Sequence, residues 1–346
     1  MNNRTLAIAA VVLMAISIWS YRNSVTRAER FERGQKFLPQ LNPDNIFSIE
    51  ISKGEETASL KRDGDRFVVT SLHNYPAKNE TVNRLLRDVA DIGLEKPVGS
   101  GEKLEKELGL TADGEEATTV VFKNDAGKEM VHFVVGNSTD GGQGRFLKRL
   151  DGGEGKIFLS SKGVYLTTAA DGFLDKEILN HNGDEVVRVE GKDFVIAAND
   201  GTLALEGVPA GKKENATEVN QVKNMLSYLR FDKVFLADDP QVTNLAFDNT
   251  IKVKLKDQSG YQVSVAKKDD TYFMKIHGTF DVEQIQLKQD ETEEELKEKS
   301  EILSRSDEIN TFNEFHGSWV YQLGEFSAKK FLKTKKDLIQ AEKEES

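Results

Sequence analysis

Phe47-Ser48-Ile49-Glu50-Ile51-Ser52 alternates apolar and polar residues at every step. A period of two places Phe47, Ile49 and Ile51 on one face of an extended chain, which predicts a half-buried strand. Working outward, Gly54 turns the chain and Ala58 and Leu60 suggest a second strand. Asp63-Gly64-Asp65 reads as a tight turn, and Phe67-Val68-Val69-Thr70 as a third strand.

After Tyr75-Pro76 the period changes. Val82, Leu85, Leu86, Val89 and Ile92 recur at helical spacing, so one stripe of a helix faces a core. A short helix follows, with Ser100 as a candidate N-cap, Leu104 and Leu108 stacked four apart, and Gly109 as the stop. Thr118 to Lys123, Met130 to Val135, Arg145 to Leu150 and Lys156 to Leu159 read as strands, with glycine-containing turns between them. Val164 to Leu174 predicts one more short helix.

The pattern then starts again. Val187 and Val189 take the places of Ile49 and Ile51, and Asp193-Phe194-Val195-Ile196 resembles Asp65-Arg66-Phe67-Val68-Val69. Asn215 with Glu218 predicts an N-cap and its N3 partner, opening a helix striped by Val222, Met225, Leu226 and Leu229. Ile251 to Leu255 matches the strand ending at Phe122. These matches point to a domain-sized duplication. Asp290 to Lys299 is strongly acidic and reads as a solvated helix or flexible insertion, with a partner-facing arm as the sharper alternative. Ser327 is a candidate cap for a last helix holding Phe331, Leu332, Leu338 and Ile339.

At the other end, Leu6 to Trp19 carries no charged residue, and Thr5, Ser20 and Tyr21 extend the stretch. As a helix, residues 5–21 would span about 25 Å at ~1.5 Å per residue, the short end of what crosses a bilayer. Trp19 and Tyr21 close it with rings suited to the headgroup level, and Arg4 and Arg22 flank it. Trp19, Ser20, Tyr21 and Arg22 close the apolar run and make a poor cleavage site, so an uncleaved anchor is favoured over a signal peptide. Leu6, Trp19 and Tyr21 mark the expected membrane anchor. Arg22, Arg27, Arg30 and Arg33 after the helix would by charge counting hold the body on the cytoplasmic side.

The expected fold class is therefore α+β, an N-terminal transmembrane helix followed by two duplicated lobes of antiparallel-rich sheet with packed helices. The division is residues 1–21 as signal-anchor, 22–44 as juxtamembrane helix and linker, and 45–180 as first lobe. The second lobe is 181–340, with the acidic insertion at 288–310, and 341–346 is a frayed tail.

Composition narrows the chemistry. The 346 residues carry a formal net charge of -11, which argues against nucleic acid, because phosphate contacts need clustered Lys and Arg. With no cysteine, disulfides, thiolate metal sites and thiol nucleophiles are excluded. His73, His132, His181, His277 and His316 show no metal-binding spacing. Gly136-Asn137-Ser138 fails to complete a nucleophile elbow, and Gly141-Gly142-Gln143-Gly144-Arg145 reads as a hairpin loop rather than a phosphate cradle. Asn180 to Glu185 offers oxygen ligands outside the calcium-loop register. The expectation is no catalytic residue, no cofactor and no metal.

Several stretches, taken in order, resemble a bacterial domain-of-unknown-function family of membrane-anchored envelope proteins. Its members are encoded beside gliding-motility-type (GldG-like) ABC exporter components. The stretches are Phe67-Val68-Val69 with Tyr75-Pro76-Ala77, Leu85-Leu86, Leu108-Gly109-Leu110 and Val134-Val135-Gly136. Phe173-Leu174-Asp175-Lys176-Glu177-Ile178-Leu179 and Leu229-Arg230-Phe231-Asp232 complete the set. Phe67 stands where tryptophan is commoner, and the acidic insertion is atypical. The resemblance implies a single-pass inner-membrane protein with a periplasmic body. Its implied partners are an ABC-2-type permease and ATPase or other envelope proteins. A ligand-binding module holding a glycan, peptide or lipid between two lobes, with Tyr75, Trp319 and Tyr321 as lining, is the alternative.

Overall fold

The computed structural model describes residues 12–20, 33–112, 114–151, 155–199, 202–280 and 292–342. Helix α1 covers residues 12–20. The chain divides into two compact units, Met1–Asp175 and Lys176–Ser346. Both are mixed α+β, dominated by large antiparallel sheets.

The first unit contains β1 (Ser48–Lys53), β2 (Glu56–Asp63), β3 (Arg66–Val69), β4 (Tyr75–Pro76), β5 (Leu94–Gly99), β6 (Thr118–Lys123), β7 (Glu129–Ser138), β8 (Arg145–Arg149) and β9 (Ile157–Ser160). They form one sheet in the order β4-β3-β2-β1-β6-β7-β8-β9-β5. The alternation of the opening stretch shows in the register. Ile49 lies between Leu60 and Phe122, and Ile51 between Ala58 and Val120, all buried. Directly opposed side chains on one face are the unit of sheet stabilisation, so these rows carry the core. Helix α2 (Asn79–Ala90) buries Val82, Leu85, Leu86 and Val89.

A smaller core of Leu110, Ala117, Val134 and Ile157 is joined by Leu104 of helix α3 (Glu102–Glu107) and by Leu108. Gly109 ends α3 at φ +66. Its N–H donates to Lys106 O and that of Leu110 to Glu105 O, the paired bonds of a Schellman stop. The cap at the other end is Gly101, not Ser100.

The second unit contains β10 (Glu177–Leu179), β11 (Val186–Glu190), β12 (Val195–Asn199), β13 (Thr202–Leu205), β14 (Lys212–Glu214), β15 (Leu229–Arg230), β16 (Lys233–Leu236), β17 (Asn249–Leu255), β18 (Ser259–Lys268), β19 (Thr271–Phe280), β20 (Trp319–Leu323) and β21 (Ile339–Ala341). Its large sheet runs β13-β12-β11-β17-β18-β19-β20-β16. Strand for strand this is the order β3-β2-β1-β6-β7-β8-β9-β5 of the first unit. Two short pairs, β10 with β15 and β14 with β21, lie outside it. The helices are α4 (Ala216–Lys223), α5 (Glu293–His316) and α6 (Glu325–Lys330). Asn215 caps α4, its side chain accepting from Glu218 N–H at 3.4 Å.

Four further sequence readings are corrected. Residues 164–174 are not an α-helix; only Ala170–Phe173 coils, as a 3-10 turn, because Thr167, Thr168 and Gly172 are poor helix formers. Helix α4 stops at Lys223, and Met225, Leu226 and Leu229 are buried from the turn and strand that follow. Ser327 sits inside α6, whose cap is Gly324, while Ile339 belongs to strand β21. Ala341, the first residue of the expected frayed tail, pairs with Lys212. Of the acidic insertion, residues 288–291 lie outside the described residues, and Glu293 onward is helical.

Candidate functional site

Of the three expected anchor residues, Leu6 and Tyr21 lie outside the described residues, and Trp19 stands on α1 with 71% of its surface exposed. Val12, Leu13, Met14, Ile16 and Ile18 are also more than half exposed. A side chain of this kind gains about 1.5–3 kcal/mol when it leaves water, so these six together make an apolar surface that calls for cover. No helix among the described residues is long and apolar enough to cross a membrane.

The segment that follows is tied down where a linker was expected. Gly34 N–H donates to Leu94 O at 2.7 Å, Leu94 N–H to Gln35 O at 2.9 Å, and Phe37 N–H to Ile92 O at 2.8 Å. These residues lie against the start of β5, an end strand of the first sheet. Phe37 is 3% exposed, its ring edge-on to Phe133 at 5.4 Å and to Phe158 at 6.3 Å. Arg33 pairs with Glu95 and Lys36 with Asp91 at the surface. Those ion pairs are worth little; the Phe37 burial holds the segment.

The richest group of titratable and aromatic side chains lies in the second unit, where α5 meets the sheet. Pairing between β19 and β20 runs from Tyr272↔Leu323 to Met274↔Tyr321. Beyond it, Asn313 of α5 supplies its amide to Gly278: Gly278 N–H donates to Asn313 Oδ1 at 2.6 Å and Asn313 Nδ2 to Gly278 O at 2.9 Å. A Cβ at Gly278 would come within 3.1 Å of Ile309, so glycine lets the helix approach. Ile309, Phe312, Asn313 and His316 recur at three- and four-residue steps, the stripe that seats α5.

Below this stripe the rings form a continuous series. Tyr261 stands 5.3 Å from Phe312, and Phe312 4.1 Å from His316. His316 Nδ1 lies 2.6 Å from the Tyr321 hydroxyl, and Tyr321 packs on Phe231 at 5.1 Å. Burial pushes His316 down to about 4, so the imidazole is neutral at physiological pH. On the other side, His181 lies between Glu185 (2.8 Å) and the Tyr261 hydroxyl (3.3 Å). Burial pushes the Tyr261 phenol up to about 12, so it stays protonated. The Glu185 carboxyl is held low first by its hydrogen bond with His181 and then by Asn182 N–H.

A Glu-His-Tyr series has the outline of a relay, in which a base beside a hydroxyl can take its proton. Here it ties parts of the second unit together, Glu185 and His181 before β11 and Tyr261 on β18. In the oxygen-rich stretch Asn180 to Glu185, Asn182 and Glu185 form a capping box around Gly183–Glu185, and Asn180, Asn182 and Asp184 are exposed. His132 lies on β7, 3.2 Å from Glu129. Among the described residues no group of three or more His, Cys, Asp or Glu is placed to hold a metal ion. The His316–Tyr321 contact escapes sequence reading because the two meet only through the fold; the stripe from Ile309 to His316 was the available signal.

Comparison with curated proteins finds no match, and comparison with solved structures finds none. The model of one family, described as a domain of unknown function, matches residues 68–248, from β3 in the first unit to the residue before β17 in the second. That is more than half of the chain, and the protein belongs to the domain-of-unknown-function family DUF4340.

Proposed function

We propose that this chain is a non-catalytic, membrane-anchored accessory subunit of an ABC-2-type export system, its body in the periplasm and its work done by protein–protein contact. The observation that carries the reading is α1, an apolar helix exposed on every described side chain and followed by a segment fastened to the first sheet. A helix of that character is covered by a bilayer, with residues 5–21 as the anchoring span. The partner class and the periplasmic side rest on the resemblance of the quoted stretches, against the arginine count after the helix. The matching order of eight strands in the two sheets supports a duplication, which supplies two similar bodies for docking.

Extraction of membranes with alkaline carbonate tests the anchor. The full chain stays in the pellet, and a chain starting at Arg33 moves to the supernatant. A full chain released by carbonate contradicts the reading.

A further inference from the structure

The two large sheets differ at one edge. In the first unit β3 is not the last strand, because β4 lies outside it: Ala77 N–H donates to Phe67 O at 2.8 Å and Asn74 N–H to Val69 O at 3.1 Å. In the second unit β13 holds the same place in the order, but nothing lies outside it among the described residues. The segment that follows it, β14, pairs instead with β21.

The hydrogen-bonding parity of β13 is fixed by Glu206, whose N–H donates to Val195 O at 2.9 Å. In an antiparallel pair inward bonds fall on alternate residues, so Leu203 and Leu205 turn their backbone groups outward. Leu205 N–H is taken by the Glu214 carboxylate at 3.2 Å. The outward groups of Leu203 meet no partner among the described residues. Beside this edge lies a groove of about 1040 Å³, with Val187, Thr202 and Leu203 on one side and Asn220 and Lys223 of α4 on the other. Helix α4 is one turn shorter than α2, eight residues against twelve, which leaves that groove open.

We infer that the outer edge of β13 receives an extended segment of a partner protein, added antiparallel as β4 is added to β3. The first unit shows the occupant's form. Tyr75 opposite Val69 is 2% exposed and Ala77 beside Phe67 is 4% exposed, so the added segment carries apolar residues toward the core face. Backbone bonds give such an addition its affinity, and the groove gives it side-chain selectivity. This names one docking surface for the partner-binding reading above. It is built from the second unit alone, so it can fail while the anchor holds, and the reverse.

The probe is a synthetic peptide carrying residues 72–79 of this chain, the segment that contains β4, offered to the full-length protein. Without peptide the Leu203 amide exchanges with deuterium fast while that of Ala204 is protected; with peptide the Leu203 amide slows about tenfold or more. Leu203→Pro removes the outward N–H and keeps the inward ladder, as prolines on edge strands do. It lowers peptide affinity about tenfold, whereas Leu203→Ala stays within about threefold. Three results overturn the inference: a Leu203 amide already protected without peptide, no peptide binding, or equal binding by the Leu203→Pro chain. If that variant fails to fold, the exchange of the Leu203 amide decides.

Discussion

Replacing His316 and Tyr321 together with phenylalanine removes about 2–3 kcal/mol of acid sensitivity from the second unit between pH 7.5 and 4.5. The sign follows from the burial of His316. Its folded pKa, about 4, lies below the ordinary 6.5, so the unfolded chain binds more protons between those values. Stability from this group is therefore full above pH 6.5 and falls as acid rises toward pH 4. The groups packed against the ring are Phe312, Phe315 and the Tyr321 hydroxyl, which offer no compensating charge. Changing both partners matters, because a phenol left unsatisfied in the core would add its own cost of about 1–3 kcal/mol at every pH. Urea titrations at the two pH values check it. Glu185 and Asp337, whose carboxyls are held low, add acid sensitivity to both chains and cancel in the comparison. Parallel losses in the two chains would show that His316 does not titrate in this window.

Phe37→Ala destabilises the first unit by about 3–5 kcal/mol, the cost of emptying a packed aromatic site. Phe37 fills the space beside Phe133 and Phe158, and its N–H closes one of the three backbone bonds that fasten residues 34–37 to the start of β5. The loss has a second signature. Amides of Gly34 and Phe37 lose protection before those of β1 and β6, because the segment lets go without the sheet. A chain of two units need not unfold in one step, so residue-level hydrogen exchange is the suitable readout. Unchanged protection at Gly34 would mean that the segment is held by something other than this ring.

Both predictions rest on features that the sequence carries only faintly. The rows of Ile49 and Ile51 were legible because alternation over six residues leaves one way to fold them. The stripe of α2 was legible for the same reason at helical spacing. Phe37 was not: it sits in a stretch dominated by charge and followed by Pro39, which reads as a linker, and its burial comes from Phe133, far along the chain. Helix α5 was masked by its own beginning, since the acidic run sets the average while the packing stripe starts only near Ile309. Strand β21 read as helix because Leu338 and Ile339 suit either form, and only pairing with β14 decides it. The candidate site shares this limit. Asn313 and Gly278, or His316 and Tyr321, meet through the fold, and spacing along the chain does not announce them.

We propose that the body is held at a membrane to engage an export machine, and crosslinking in native membranes tests this most directly. Full-length chain, crosslinked in place and recovered under denaturing conditions, brings with it an ABC-2-type permease or its ATPase partner. A chain lacking residues 1–32 brings neither. Recovery of the full-length chain from the membrane fraction with no permease, ATPase or other envelope protein attached would contradict the proposal.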